Sequence, residues 1–256
     1  MPLENTTLGL VADLLRSARS VAVLTGAGIS AESGVPTFRG AEGLWRSFRA
    51  EELATPAAFA RDPQLVWDWY RWRRQTIAGV SPNPGHLALV RLQRRLPGFA
   101  LVTQNVDGLH RRAGSLSVIE LHGNIWRARC TREPARVFDE APASGAEAPL
   151  RWSERGELPS CPSCGAMLRP DVVWFGEPLD AAIIEKATEA VRACDVLLIV
   201  GTSGIVYPAA ALPDAARRAG APIVEINVAE TPLTAIANFV LRGPSGSVLP
   251  ALEAAV

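Results

Sequence analysis

The feature that most constrains the fold is a regular alternation of short aliphatic segments with longer amphipathic segments. The aliphatic segments are bounded by Gly, Pro, Asn or Asp and are residues 21–25, 99–103, 118–122, 195–200, 222–227 and 239–241. Such short apolar runs are typical of buried parallel strands. Five segments between them have helical spacing of apolar residues: 8–16, 63–77, 86–96, 181–193 and 208–219. The alternation predicts an α/β fold with a doubly wound, mostly parallel, Rossmann-like sheet.

Two stretches interrupt the alternation. Residues 37–80 are too long for a simple crossover, and residues 125–171 hold three of the four cysteines. We expect both to form a smaller inserted domain with a helical part and a zinc-ribbon-like module. The Rossmann-like domain would then comprise residues 1–36, 81–124 and 172–256. A cleft between the two domains would hold the chemistry.

Charge and hydropathy limit the partners. The 256 residues include 26 basic and 26 acidic ones, so there is no broad attraction to nucleic acids or anionic membranes. Residues 1–15 lack the basic flank and continuous apolar run of a signal peptide, and no apolar run reaches transmembrane length. We expect a cytoplasmic protein with reduced cysteines and with neither nucleic acid nor membrane as partner. The sequence does not determine the oligomeric state, for which a monomer is the expectation.

A glycine-rich turn follows the first predicted strand. The pattern Gly-x-Gly-x-x-Ala at residues 26–31 is typical of turns that bring a backbone close to a pyrophosphate at a helix N-terminus. Gly34 and Pro36 break the helix after about two turns, and no acidic residue ends a second strand about 20 residues further on. The turn therefore predicts a dinucleotide site but disfavours an ordinary dehydrogenase. The alternative, a turn without a ligand, is weakened by polar residues after later strands, at 201–203 and Asn227.

Polar residues also end the second and third predicted strands. Residues 104–107 (Gln-Asn-Val-Asp) follow one strand, and His122 ends the next. A histidine at this edge suits a general base that works near neutral pH. The alternative for His122 is a core histidine bonded to the backbone. The other two histidines, His86 and His110, are interpreted as structural.

Several of these motifs together resemble the sirtuins, the NAD-dependent protein-lysine deacylases. The similar segments occur in the family's order: GAGISAESGVPTFRG (26–40), TQNVDGLH (103–110), LHG (121–123), VVWFGE (172–177), GTS (201–203) and EIN (225–227). The resemblance extends over nearly the whole chain. It implies that the acyl oxygen attacks the ribose carbon that bears nicotinamide, and that a ribose hydroxyl, deprotonated by His122, then attacks the resulting adduct. The products would be nicotinamide, O-acyl-ADP-ribose and free lysine.

The resemblance also implies roles for individual residues. Asn105 would orient the ribose or a water, and Asp107 would accept a hydrogen bond from the nicotinamide carboxamide; with His122 these form the catalytic set. Gln104 and Ser30 would bind ribose hydroxyls. Phe38 and Arg39 would close over the nicotinamide. The full NAD-binding set comprises Gly26, Ala27, Gly28, Ile29, Ser30, Phe38, Arg39, Trp45, Gln104, Asn105, Val106, Asp107, Gly201, Thr202, Ser203, Asn227, Val228, Ala229 and Ser245.

The segment 172–175 is predicted to be an exposed strand edge. A substrate peptide could add to it as a further strand, through main-chain hydrogen bonds that give little sequence preference. The alternative is an ordinary strand of the small domain. The residues assigned to peptide binding are Val173, Trp174, Phe175, Gly176 and Glu177.

An arginine lies within an apolar stripe of the predicted helix 63–77. One face of this helix carries Val66, Trp69, Tyr70, Arg73 and Ile77. Such an arginine needs an anionic partner or a path to solvent, and the pattern alone favours a snorkelling arginine or an internal ion pair. The resemblance reverses this preference, because Tyr-x-x-Arg looks like the signature of the desuccinylase and demalonylase subgroup. Ala54 would leave room for the longer acyl chain, and acetyl activity is expected to persist.

Three cysteines predict a metal site with an unusual fourth ligand. Cys161 and Cys164 have zinc-knuckle spacing, and Cys130 lies where a first pair would begin, but Glu133 stands in place of the second cysteine of that pair. Three thiolates and a carboxylate can bind zinc tetrahedrally. The alternatives are Asp139 as the fourth ligand or a metal-free module held by packing. The fourth cysteine of the chain, Cys194, is interpreted as a core residue.

Two rival functions use the same NAD pocket. One is a mono-ADP-ribosyltransferase, and the other is a binding module that senses NAD or ADP-ribose without turnover. The set of His122, Asn105 and Asp107 disfavours the sensor, and Tyr70 with Arg73 disfavours the transferase.

Overall fold

The computed structural model describes residues 5–36, 49–139 and 157–256. Phe38, Arg39 and Trp45 lie outside these ranges, so their NAD-binding roles stay predictions. Within the described ranges the α-helices are α1 (Asn5–Ser17), α2 (Gly28–Ala31), α3 (Ala50–Leu53), α4 (Pro56–Arg61), α5 (Pro63–Ala78), α6 (Pro84–Arg95), α7 (Leu109–Ala113), α8 (Ala181–Arg192), α9 (Leu212–Arg218) and α10 (Ser245–Ala255). Two 3₁₀ turns cover Ala209–Ala211 and Thr234–Ile236. None of the helices in these ranges has the length and apolar content needed to cross a bilayer.

The main sheet is parallel throughout and has the order β3-β2-β1-β7-β8-β9. Its strands are β1 (Val21–Thr25), β2 (Phe99–Thr103), β3 (Val118–Glu120), β7 (Val196–Val200), β8 (Ile223–Asn227) and β9 (Phe239–Arg242). The predicted doubly wound fold is confirmed, although β3 ends two residues before His122. The strand order reverses between β1 and β7. At such a reversal, ligands bind beyond the carboxyl ends of the strands.

Helices cover both faces of this sheet because side chains alternate along each strand. In β1, Val21 and Val23 pack with α1, α6 and α10, whereas Ala22 and Leu24 pack with α8 and α9. Helix α10 was not predicted, since its small residues and internal Pro250 argue against a helix. Packing against α6 and α1 outweighs that weak local preference.

A second, antiparallel sheet has the order β5-β4-β6. Its strands are β4 (Gly123–Cys130), β5 (Val137–Asp139) and β6 (Leu168–Val172). Its core is rich in tryptophan and is separate from the cores of the main sheet. This packing supports the two-domain division as a proposal, with one adjustment: Val172 and Trp174 pack with the small-domain core. The prediction had assigned both residues to the larger domain.

Helix α5 is anchored at its start by local capping. The Thr55 hydroxyl accepts the Ala58 amide at 3.0 Å at the start of α4, and the Asp62 carboxylate accepts the Leu65 amide at 2.9 Å at the start of α5. Each of these helices has proline in its first turn, where the missing N–H costs nothing. The result is a 16-residue helix whose apolar face lies on the small-domain core.

Candidate active site

The glycine-rich turn is shaped by contact with the loop after β7. A Cβ on Gly26 would lie 2.7 Å from the Thr202 Cβ, and one on Gly28 would lie 2.7 Å from the Gly201 Cα. The Gly28 amide also donates to the Gly201 carbonyl at 2.8 Å. The prediction explained these glycines by close approach to a pyrophosphate, and that role stays a prediction; packing between neighbouring strand ends is a second reason why both positions need glycine. Helix α2 also ends after four residues, sooner than the predicted two turns.

Three polar side chains from different parts of the chain meet beyond β1 and β2. The Ser30 hydroxyl donates to the Asp107 carboxylate at 2.8 Å and accepts from the Asn105 amide group at 3.1 Å. Asn105 donates a second bond, to the Gly26 carbonyl at 3.1 Å. All three side chains are buried. The structure therefore brings together the predicted catalytic residues Asn105 and Asp107 with the predicted ribose ligand Ser30 in one fixed network.

Opposing influences act on the buried carboxyl group of Asp107. Burial raises the pKa of its carboxyl above the usual value, while hydrogen bonds from the Leu109 amide and the Ser30 hydroxyl and attraction to Arg73 oppose that rise. The Leu109 amide donates at 2.8 Å. A carboxylate fixed on two donors keeps its remaining lone pairs for a third donor. This suits the predicted contact with a carboxamide N–H.

His122 lies between β3 and β4, next to the loop that carries Gln104 and Asn105. Its Nδ1 is 2.8 Å from the Gln104 carbonyl, which can only accept. Nδ1 therefore carries the proton, and Nε2 presents a lone pair. Burial lowers the pKa of His122 below its ordinary value, opposed by the bond to Gln104. The imidazole is thus neutral near pH 7, as a general base must be.

Two further histidines lie beneath this network. The His86 Nε2 is 3.5 Å from the Ser30 hydroxyl, and the His110 Nε2 is 2.9 Å from the Thr25 hydroxyl. The two rings are 4.9 Å apart. Burial lowers the pKa of His86 to about 4, and burial together with His86 lowers the pKa of His110 well below its usual range. The pair supports the site from below in neutral form. No pattern in the sequence indicates that His86 touches Ser30.

The other predicted NAD ligands line the same sheet edge. The Gln104 side chain donates to the Thr202 hydroxyl at 2.8 Å, and the Asn227 side chain donates to the Thr202 carbonyl at 2.9 Å. Val228 and Ala229 follow β8 and are exposed. Ser245 differs, because it is buried at the start of α10 and its hydroxyl contacts Glu32 at 3.4 Å. Glu32, which the sequence did not single out, also accepts the Gly246 amide at 2.6 Å.

A second polar group lies on the aromatic face of α5. Tyr70 is fully buried, and its hydroxyl accepts from the Trp174 indole N–H at 2.9 Å. The Arg73 guanidinium carbon lies 5.1 Å from the Trp69 ring centre and 6.0 Å from that of Tyr70. Burial lowers the pKa of Arg73, while attraction to Tyr70 and Asp107 raises it. Arg73 thus connects this aromatic wall electrostatically with the Asp107 network.

Trp174 is held in turn by residues that the sequence analysis missed or assigned differently. The Arg169 guanidinium stacks over its ring at 3.4 Å and pairs with both oxygens of Glu177 at 2.5 and 2.9 Å. The ring centre of Phe59 lies 5.2 Å from that of Trp174. In the sequence, the position of Arg169 five residues before Trp174 was the only signal that could have indicated this stacking. Glu177, predicted to bind peptide, therefore also braces Trp174.

The predicted free strand edge at 172–175 is corrected. Strand β6 ends at Val172, and the amides that follow already have partners within the chain. The Val173 amide donates to the His122 carbonyl, and the Phe175 amide donates to the Ala54 carbonyl, each at 2.9 Å. These bonds link the segment to the base and to the predicted acyl-pocket residue Ala54. Phe175 itself is half exposed.

Arg71 and Arg74 on α5 are more deeply buried than Arg73, which the apolar stripe did not indicate. Arg74 is only 1% exposed and donates to the carbonyls of Ile125 at 2.6 Å and Arg127 at 3.2 Å. Arg71 donates to the Asp68 carboxylate at 2.9 Å. Arg74 thus ties α5 to β4, and Arg71 ties it to the Glu157 carbonyl at 2.5 Å. Arg73 lies instead on the aromatic face beside Tyr70.

Comparison with known proteins identifies the family. Residues 26–208 match the model of the Sir2 family. The chain belongs to the Sir2 family. An "NAD-dependent protein deacylase 2" from Pyrobaculum aerophilum is 54% identical over 242 residues, which cover 94% of this chain and 93% of that protein. A crystal structure of a Sir2 homolog–NAD complex has a TM-score of 0.86 at 45% identity, with 96% and 92% of the two chains covered. A Sir2–p53 peptide–NAD⁺ structure has a TM-score of 0.83 at 30% identity, with 96% of each chain covered.

These matches confirm several predictions from the sequence. The sirtuin resemblance, the Rossmann-like fold with a small antiparallel module, NAD as co-substrate and the NAD-dependent deacylase class all agree with them. The roles of individual residues stay predictions. The names of the relatives do not specify an acyl group, so succinyl or malonyl preference also stays a prediction.

A thiol cluster in the small domain fits the zinc module of this Sir2 protein. The sulphur atoms of Cys130, Cys161 and Cys164 lie within 4.8 Å of one another, and those of Cys130 and Cys164 are 3.5 Å apart. Tetrahedral coordination with Zn–S bonds of about 2.3 Å requires sulphurs about 3.8 Å apart. Cys194 lies elsewhere, buried near α8, as predicted. Among the described residues, neither Glu133 nor Asp139 joins the cluster, so the structure supports neither predicted fourth ligand.

Proposed function

We propose that this Sir2 protein is an NAD-dependent protein-lysine deacylase that prefers acyl groups ending in a carboxylate, such as succinyl and malonyl, and that also removes acetyl groups. One observation carries the acyl preference: the Tyr70 hydroxyl and the Arg73 guanidinium share the buried aromatic face of α5. They offer a donor and a cation in otherwise apolar surroundings. Such a wall suits an anionic group at the end of an aliphatic chain.

The orientation of Tyr70 follows from its hydrogen bond. Its oxygen accepts from the Trp174 indole N–H, so its own proton is available for another acceptor. Burial raises the pKa of Tyr70, which keeps the hydroxyl protonated at neutral pH. Arg73 nearby stays cationic. An acyl carboxylate could therefore accept from the Tyr70 hydroxyl and the Arg73 guanidinium together.

The catalytic steps follow from the protonation states of the residues at the edge of the main sheet. NAD supplies the ribose carbon to which the acyl group is transferred. His122 Nε2 is unprotonated and would accept the proton of a ribose hydroxyl, since Nδ1 donates to the Gln104 carbonyl. Asn105 and Ser30 are fixed in one hydrogen-bond network with Asp107 and would orient the ribose. The His122 carbonyl accepts from Val173, so the base is attached to the segment proposed to bind peptide.

Peptide binding remains part of the proposal, with main-chain groups at 173–177 as its site. The amides of Val173 and Phe175 are occupied, so a peptide would use other backbone groups of this segment or displace these bonds. The contact between the Phe175 amide and the Ala54 carbonyl supports a short path from peptide to acyl pocket. Cytoplasmic location, monomeric state and the absence of nucleic-acid or membrane partners likewise stay predictions.

The activity test uses purified protein, NAD and one peptide in succinyl-lysine, acetyl-lysine and unmodified forms, with mass spectrometry of all products. We expect free lysine peptide, nicotinamide and O-succinyl-ADP-ribose in equal amounts from the succinyl form. Peptide- or protein-bound ADP-ribose would favour a mono-ADP-ribosyltransferase. Unconsumed NAD with every peptide would favour a binding module. Turnover of the acetyl form alone would refute the proposed acyl preference but keep the deacylase.

A further inference from the structure

The segment 130–133 has the backbone shape of a zinc knuckle although it lacks the second cysteine. In the complete knuckle of this chain, the amides of Ser163 and Cys164 donate to the Cys161 sulphur. In the incomplete one, the Glu133 amide donates to the Cys130 sulphur at 3.4 Å. Residue 133 therefore has the same relation to Cys130 as Cys164 has to Cys161. The turn is preserved, and only the fourth ligand differs.

The Glu133 side chain leads away from the cluster. Its carboxylate pairs with the Arg136 guanidinium at 2.8 Å, and 47% of the side chain is exposed. A surface ion pair is weak, so it would not by itself keep the carboxylate from a metal. Side-chain length gives the stronger reason. A cysteine sulphur is one bond from Cβ, whereas a glutamate oxygen is three, so a carboxylate overshoots a position built for a thiolate.

We propose that the small domain holds one zinc ion through Cys130, Cys161 and Cys164 alone and leaves the fourth coordination position to a ligand from solution. Water would occupy that position, and a small Lewis base such as imidazole could replace it. An exchangeable fourth ligand is the feature that separates open zinc sites from closed structural ones. The site would remain structural for the fold, because the three thiolates join β4 to the Cys161–Cys164 turn.

Cobalt substitution gives the direct test, because the visible absorption of thiolate-bound Co²⁺ responds to a change of ligand. Full-length protein is loaded with Co²⁺ under reducing conditions and titrated with imidazole. We expect the wild-type bands to shift with imidazole. In Glu133→Cys the knuckle would supply a fourth thiolate, so its bands should not shift. Glu133→Ala should behave like wild type.

Zinc affinity, measured by competition with a chelator, provides a second readout. Even groups that only hydrogen-bond to a metal ligand change metal affinity by about 10- to 100-fold, so the added thiolate of Glu133→Cys should tighten binding at least about tenfold. The zinc affinity of Glu133→Ala should be within about twofold of the wild-type affinity.

Three results would overturn the proposal. Wild-type bands that ignore imidazole would mean a closed site with a fourth protein ligand, and loss of affinity in Glu133→Ala would identify that ligand as Glu133. Bands of Glu133→Cys that still shift would mean that the knuckle does not direct residue 133 to the metal. Metal analysis that finds wild-type protein binding neither ion would also contradict it. These measurements do not depend on the acyl preference or on turnover.

Discussion

The polar network beyond the main sheet and the sites on the small domain are built in different ways. Ser30 comes from one segment and Asn105 and Asp107 from another, yet they meet because the carboxyl ends of parallel strands share one edge. The small-domain sites depend instead on where individual side chains turn. Tyr70 is oriented by Trp174, and Glu133 turns to Arg136.

In the proposed function, this difference separates the residues that act on the acyl group from those that select it. The sheet edge carries the groups that would act on every acyl-lysine substrate, whereas the small domain would decide which acyl group is accepted. Changes at the sheet edge should therefore affect all substrates alike. Changes on α5 should alter the ratio between substrates.

The largest expected effect is at the sheet edge, with His122→Ala. Loss of a general base lowers the rate about 10²- to 10⁴-fold, so the rates of both desuccinylation and deacetylation should fall by that factor. In wild type, kcat/KM should begin to decline at a lower pH than expected for an ordinary histidine, because burial lowers the pKa of His122. Steady-state kinetics with both peptides checks this. A change confined to one acyl group would break the division between the two regions.

The next largest effect is on the free energy of unfolding and comes from His86, which lies beneath the polar network. His86 has a pKa of about 4 in the fold against 6.5 when unfolded, so the unfolded chain binds more protons between these values. The lowered pKa of His86 contributes up to about 3 kcal/mol to the free energy of unfolding. This contribution is complete above pH 6.5 and is lost as the pH falls towards 4. Urea unfolding of wild type and of His86→Gln across this window measures it. Equal pH dependence in both proteins would refute the assignment.

The central effect on the small domain is a change of selectivity in Arg73→Met. A hydrogen bond to a charged group contributes about 1.5–3 kcal/mol, so desuccinylation should fall about 10- to 100-fold while deacetylation stays within about threefold. Arg71→Met is the matched control on the same helix, since Arg71 pairs with Asp68. It should leave the ratio unchanged. Equal loss of both activities in Arg73→Met, or loss of neither, would refute the acyl-carboxylate role.

The smallest effect is expected from Trp174→Phe, which removes the indole N–H that orients Tyr70. One neutral hydrogen bond contributes about 1 kcal/mol, so the succinyl-to-acetyl ratio of kcat/KM should fall about fivefold. Trp67→Phe is the matched control, because Trp67 donates to the Leu168 carbonyl at 3.0 Å and lies on the same helix as Tyr70. Equal ratios in the two variants would show that Trp174 acts by packing alone.

The strands and the sheet edge were predictable because aliphatic runs and the polar residues that end them leave a strong local signal. Helix α10 left no such signal, since small residues and Pro250 conceal a helix that packing stabilises. Side-chain partners were the least predictable. The sequence placed Tyr70 and Arg73 on one face but could not indicate Arg169 stacked on Trp174. It suggested a fourth metal ligand at Glu133, whose side chain pairs with Arg136 instead. Both contacts are local in sequence, but a residue pattern does not show which way each side chain turns, because rotamers and packing decide this.

The succinyl-to-acetyl ratio of the wild-type enzyme tests the central claim most directly. It is the kcat/KM for a succinyl-lysine peptide divided by that for the same peptide with acetyl-lysine, at saturating NAD. The Tyr70 and Arg73 wall predicts a ratio of at least about 10, from one charge-assisted hydrogen bond. A ratio of one or below would contradict the account and leave a deacylase without preference for acidic acyl groups.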